Sequence, residues 1–276
     1  MNRAMRIVAA TGQRASASTA FTPLSLFSGG EAGFAYLPGT VHGASYQERT
    51  GASATTLSGN GEVVGTYRDL ITTKNFTASA DTRRPIHTVS GGLTNHDYDG
   101  TDDCLLLSAF DLSGTSAVTL FVACEVDTGA VAQIICEHSA NINTNNGSFA
   151  FISRDAASGD LSWSGRGATN IGGRRTATAT VPRKTVTSCV YDLAQTSLAA
   201  EFSPRVDGAV PSLTDAGSTL GLGPFGNFAF YIGARGDASV RFDGRIWGMI
   251  LVGRVCTAAE IIDTEQYLAG LSGVSF

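Results

Sequence analysis

The chain has 276 residues, a formal net charge of −5, 43% hydrophobic and 16% charged residues, and 33 glycines. That length suits one large domain or two small ones, and the hydrophobic fraction excludes wholesale disorder. Sparse charge, two lysines (Lys74 and Lys184) and abundant Gly, Ser and Thr point to turn-rich β structure, and no run approaches the roughly 18 apolar residues of a membrane span.

Residues 1–30 hold Arg3, Arg6 and Arg14 and no acid. A basic, Ser/Ala/Thr-rich tail on an acidic body reads either as an arm that docks on another chain or as a disordered terminus. Its apolar stretch "IVAA" (residues 7–10) is shorter than the roughly 7–15 residues of a signal-peptide core. The expectation is a soluble protein made in a cytoplasm, with no membrane or nucleic-acid partner.

Residues 31–95 read as an irregular segment packing on the sandwich formed by the later residues: short apolar pieces alternate with Gly, Ser, Thr and Asn, as in "TGASATTLSGNGEVVG" (50–65). From 96 onward the pattern becomes regular. "SAVTLFVACEV" (116–126), "AVAQIICEH" (130–138), "GSFAFIS" (147–153), "TVTSCVYD" (185–192), "LAAEFSPRVDG" (198–208), "NFAFYIGA" (227–234) and "GRIWGMILVG" (244–253) are rich in Val, Ile, Phe, Tyr and Thr. Turn signals separate them, which predicts strands. Regular strands without intervening helices predict an all-β fold, a two-sheet antiparallel sandwich of jelly-roll type over 96–276.

One helix is predicted near the end, in "CTAAEIIDTEQYLAG". Thr257 as N-cap and Glu260 three residues later form a capping box, and Gly270 is the expected C-cap. The five cysteines are odd in number and show no CxxC pair. Most sit in strand-like runs, so they read as buried free thiols.

"NHDYDGTDDCLLL" (95–107) places four aspartates in seven positions. Counted from Asp97, an EF-hand loop lacks its Gly at position 6 (Asp102) and its Glu at position 12 (Ser108), so that reading fails. Two readings remain: a looser calcium site formed by Asp97, Asp99 and Asp102, or an Asp99-Gly100 turn that opens a strand. "GLGPFG" (221–226) matches a nucleotide-binding glycine pattern, but no helix comes after it, so it reads as a turn. Arg235-Gly236-Asp237 reads as a hairpin turn.

Catalysis has little support. There is no G-x-S-x-G elbow, and no closely spaced acidic trio lies along a strand. Trp163, in the polar context "LSWSGRG", is a candidate sugar-stacking residue with the turns around Asp155 and Asp237, the alternative being a packing residue at the sandwich edge.

The order "YDGTDDCLLL", sandwich strands, "RVDG", then "FDGRIWGMILVGRVCTAAEIIDTEQYL" resembles the laminin-G-like/concanavalin-A-like jelly-roll superfamily. Phe242, Gly244 and Ile246 match the closing strand; Thr257, Glu260, Tyr267 and Leu268 match the capped helix. The N-terminal half is similar to the version found in tailed bacteriophage structural proteins. Tyr36 and Pro38, then Gly61, Val64, Gly65 and Asp69, then Arg84-Pro85 carry that likeness. Ala35 and Leu37 depart from the pattern, as does the absence of Ser-Gly-Asn-Gly after Asp69.

The resemblance implies a non-enzymatic virion protein, associated with tail, fibre or capsid. It would be anchored through its arm to other virion proteins and would form a homo-oligomer, with no resident cofactor. The alternative it implies is a carbohydrate-binding module that recognises host surface glycans, with calcium as an optional aid.

Overall fold

The structure, a computed structural model, describes residues 21–128, 131–154, 160–167, 172–236 and 239–276. Arg3, Arg6 and Arg14 therefore lie outside the described residues, as do Asp155 and Asp237.

The first half supplies strands β1 (Gly33–Tyr36), β2 (Gly43–Tyr46), β3 (Glu62–Val63), β4 (Thr66–Asp69), β5 (Asn75–Thr77), β6 (Ile86–Ser90), β7 (Leu93–Asp99) and β8 (Leu105–Asp111). Then come β9 (Ala117–Val126), β10 (Gln133–His138), β11 (Ser148–Arg154), β12 (Asp160–Arg166), β13 (Gly172–Ala177) and β14 (Arg183–Asp192). A short helix α1 (Leu198–Glu201) leads into β15 (Phe202–Val206) and β16 (Leu213–Gly217). The chain closes with β17 (Asn227–Ile232), β18 (Asp243–Val252) and α2 (Ala258–Ser272).

These strands form the expected all-β sandwich of two antiparallel sheets. The first sheet runs β15-β14-β9-β18-β7-β6-β3. One edge of β18 is shared: Asp243–Ile246 pair with β7 and Met249–Val252 with β1. The second sheet runs β16-β13-β12-β11-β10-β17-β8-β5-β4-β2.

Three expectations need correction. Residues 31–95 are not irregular: β1, β3 and β6 join the first sheet and β2, β4 and β5 join the second, while β7 crosses position 96. The strands lying wholly before residue 96 are two to five residues long, too short for side-chain alternation to register. Residues 198–201 are helical rather than extended; Ala199 and Ala200 come after Ser197 at the N-cap, and alanine favours helix. The last helix runs through Gly270 and ends at Gly273, whose φ of 75° is the left-handed C-cap conformation. The Thr257–Glu260 capping box is present as expected.

Two-residue alternation sorts the side chains. Phe34 and Tyr36 of β1 point into the core between the sheets, while Ala35 and Leu37 point to the opposite side of the first sheet. The inter-sheet core is aromatic: Phe34 packs edge-to-face on Phe76, Phe110 and Phe230 with ring centres 4.8–5.6 Å apart. A second core lies outside the first sheet. There Phe121, Trp247 and Ile250 meet Leu268 of α2, with Phe21 and Phe27 packed against them. Gly248 permits this approach, since a Cβ there would stand 2.7 Å from a Leu268 methyl. Buried Glu265 pins the helix, accepting hydrogen bonds from Ser188 (2.6 Å) and Arg205 (2.9 Å). All five cysteines are buried and free, and burial pushes the Cys124 thiol up to about 12.

Candidate functional site

The outer face of the second sheet carries the candidate site. Its register aligns Tyr231, Glu137, Ala150, Ser164, Arg174 and Ala216 in one row across β17, β10, β11, β12, β13 and β16. A parallel row holds Ile152, Ser162, Thr176 and Thr214. Small and hydroxylated side chains thus pave the half of the face that runs towards β16.

Two connections rise beside this floor: residues 139–147 after β10, and residues 233–236 and 239–242 between β17 and β18. Ile142 and Val240, one from each, pack with Ile134, Ala150 and Ile152 in a small third cluster. Together they wall a cavity of about 350 Å³, open to solvent, lined by Asn143, Ser164, Arg166, Arg174 and Arg235 among others. No aspartate or glutamate lines it among the described residues.

Glu137 secures the wall from beneath. Its side chain is fully buried, and its carboxylate accepts from the Ser139 hydroxyl (2.8 Å), the Ile142 backbone N–H and Arg235 Nε (3.2 Å). Burial raises its pKa, while the Arg235 charge and these donors pull it down. This carboxylate positions Arg235 and the 139–147 loop instead of facing the cavity. Arg166 and Arg174 come from the sheet itself. A Cβ on Gly172 would meet the Arg166 guanidinium at 3.6 Å, so that guanidinium lies over β13, two residues from Arg174.

Trp163, the sugar-stacking candidate, is 1% exposed. It points into the core between the sheets and stacks on Phe151 with ring centres 5.4 Å apart. Its neighbours Ser162 and Ser164 face outward, which accounts for the polar sequence context, so the surface role is withdrawn. Asp155 and Asp237, placed beside it in that expectation, are outside the described residues.

The acidic stretch is a turn, with a change in membership. Asp99, Asp102 and Asp103 bring carboxylate oxygens within 4.8 Å of one another. Asp97 is not among them; it faces Arg245 at 3.8 Å on the outside of the first sheet. The remaining geometry is turn chemistry: Asp99 Oδ1 accepts from the N–H groups of Thr101 and Asp102, and Asp103 Oδ2 accepts from the Asp99 N–H. Burial, reinforced by Asp99 and Asp102, raises the Asp103 pKa to about 7. Sequence spacing favoured Asp97 because alternation along β7 is invisible until the strand's pairing with β18 is known.

Sequence reasoning missed Arg166, Arg174 and Arg235. Arg166 and Arg174 lie in glycine-rich stretches, "SGRG" and "IGGRRT", which lack apolar alternation. Their convergence depends on cross-strand register, for which a single sequence holds no signal.

No protein-family model matches the chain, and no curated protein matches it. Solved structures do share its fold. The receptor-binding domain of botulinum neurotoxin type G is 6% identical, with 82% of this chain and 51% of that one covered and a TM-score of 0.52. A Trypanosoma rangeli sialidase in complex with 2,3-difluorosialic acid is 15% identical, with 84% and 33% covered and a TM-score of 0.50. The chain therefore spans about half of the toxin domain and a third of the sialidase, and at these identities the likeness is one of β-sandwich, jelly-roll-like fold.

Proposed function

We propose that this protein is a non-catalytic jelly-roll module that binds glycan in the groove on the outer face of its second sheet, and that it serves on a bacteriophage particle. The carrying observation is the open cavity of about 350 Å³, lined by glycine backbone and Ser164 and walled by Asn143 and three arginines. Sugar hydroxyls need such fixed donors on a rigid concave surface. Most glycoside hydrolases act through a pair of carboxyl groups flanking the scissile bond, and no acid lines this cavity among the described residues. The fold is one on which the toxin's domain has a receptor-binding role by its description, so a binding role is compatible with it.

The virion placement rests on the sequence resemblance around Tyr36–Pro38, Gly61–Asp69 and Arg84-Pro85. It gains geometric sense from the position of Phe21, which packs on Tyr267 of α2 with ring centres 5.9 Å apart. Phe21, the first described residue, thus lies beside α2, on the side opposite the groove. A tether there leaves the groove facing outward.

A panel of bacterial surface glycans tests the binding role. Retention of several glycans without release of reducing ends is the expected result; release of reducing ends would replace the module with an enzyme. Deleting residues 1–20 tests the tether, the cut falling before Leu26, which is fully buried. The truncated protein should fold and bind glycan but fail to join particles, and normal incorporation would remove the arm from the account.

A further inference from the structure

Strands β5, β4 and β2 form a flap at one end of the second sheet. β5 joins β8 at one residue pair, Thr77 with Leu106, whereas every other pair of neighbours in this sheet shares three or more. A second link runs through β3, which lies between β2 and β4 in the chain. It pairs with β6 of the first sheet at Glu62–His87 and Val63–Ile86. Both seams are short, and a histidine stands at the second of them with another directly beside it.

His96 of β7 reaches the flap across the sandwich. Its Nε2 meets Ser45 Oγ of β2 at 2.8 Å, and its Nδ1 is hydrogen-bonded to the Tyr36 hydroxyl of β1, which lies 3.2 Å from the Tyr98 hydroxyl. His87 is opposite His96 in the β6–β7 ladder, with ring centres 5.5 Å apart, and its Nδ1 is buried without a hydrogen-bond partner. We infer that His96 and His87 form an acid-sensitive latch: neutral, they hold the flap closed, and when both take a proton from solvent the flap comes away while the longer ladders stay paired.

The surroundings make the charged form costly. The titratable groups packed against fully buried His96 are Tyr36 of β1, Tyr67 of β4 and His87 of β6, with Tyr98 of its own strand reached through Tyr36; β2 contributes the Ser45 hydroxyl. Burial holds all three tyrosines protonated, so none supplies a negative charge. Asp69, two residues along β4 from Tyr67, already accepts from the N–H groups of Ala35, Ile71 and Thr72. Glu62 of β3 favours the charged form of His87, but burial outweighs it. Burial, then the neighbouring His87, keeps the His96 pKa well below the ordinary 6.5. The open form therefore binds protons more readily than the closed one. The latch is intact above about pH 6.5 and weakens as pH falls below it.

Hydrogen exchange of the full chain between pH 7.5 and 4.5, corrected for the intrinsic rate at each pH, tests the latch. Below about pH 6, opening of residues 43–77 should rise by up to about 100-fold per pH unit, the signature of two protons, while β9, β14 and β18 keep their protection. His87→Gln leaves both hydrogen bonds of His96 in place and should reduce the dependence to about 10-fold per pH unit. His96→Gln should do the same, and the double variant should be nearly flat. His138 of β10, outside the flap and with its pKa pushed down to about 4 by burial, is the control: His138→Gln should leave the dependence of 43–77 unchanged. Loss of protection in β9, β14 and β18 together with the flap would mean global acid unfolding and overturn the inference. A full two-proton dependence surviving in His87→Gln, or one abolished by His138→Gln, would overturn it as well.

Discussion

The two outer faces of the sandwich are built from the same strand geometry and end in opposite states. Outside the first sheet, Phe121, Trp247 and Ile250 point away from the inter-sheet core and are buried again under α2 and residues 21–27. Outside the second sheet, Ser162, Ser164, Arg174 and Thr176 occupy the equivalent outward positions on β12 and β13, and near them an open cavity remains. Outward apolar side chains demand a cover and so consume a face as structure. Outward small and charged ones leave a face free for a ligand. Even on the covered face the cover is local: beyond the helix, Asp97, Arg245, Glu125 and Lys184 form a charged row across β7, β18, β9 and β14.

This contrast can be broken by mutation, and the largest effect should come from the covered face. Trp247→Ala removes a side chain that is 3% exposed and held beneath Lys184 Nζ at 4.1 Å. It should cost about 3–5 kcal/mol in urea unfolding; a loss below about 1 kcal/mol would show that the second core is not structural.

The acidic turn gives the next effect, one that depends on pH. The folded pKa of Asp103 lies near 7, above the ordinary 3.8. Its contribution to stability is thus complete below about pH 4 and lost as pH rises through 7, the total being on the order of 4 kcal/mol. Asp103→Asn should therefore gain melting temperature over the parent progressively from pH 4.5 to pH 8. A constant difference across that range would contradict the buried-carboxyl account. Millimolar calcium should leave the difference unchanged if the stretch is a turn, and should close it if the three carboxylates hold the ion.

Glu265→Gln loosens α2 by weakening its bonds to Ser188 and Arg205. Because Arg205 is partly exposed and can rehydrate, about 2 kcal/mol is expected by chemical denaturation. Thr257→Ala breaks the capping box and should cost about 1 kcal/mol.

Whether a feature could be read in advance depends on the range over which it is encoded. The capping box was legible because Thr257 and Glu260 act across one helical turn. The strand-opening turn was legible because Asp99 bonds to the N–H groups of Thr101 and Asp102, its own near neighbours. Of the two readings of Trp163, packing holds and sugar stacking does not: its serine neighbours mask an inward-pointing strand position, and polar residues on either side of an aromatic are what a half-buried strand requires. Of the strands before residue 96, β1 and β5 find partners far along the chain, β18 and β8, while β2, β3, β4 and β6 pair nearer by and were missed because each is only two to five residues long.

The sequence by itself determined that the chain is all-β, that its long strands lie after residue 96, that its cysteines are core thiols, and that one capped helix closes it. These come from composition, period-two alternation and local hydrogen-bond chemistry, each expressed within a few residues. Only the tertiary structure decided which outward face α2 would cover and that Arg166, Arg174 and Arg235 would meet. It also moved Asp97 out of the acidic turn and Asp103 into it. Those outcomes depend on register between distant strands and on long-range packing, which become defined when the two sheets close around one core.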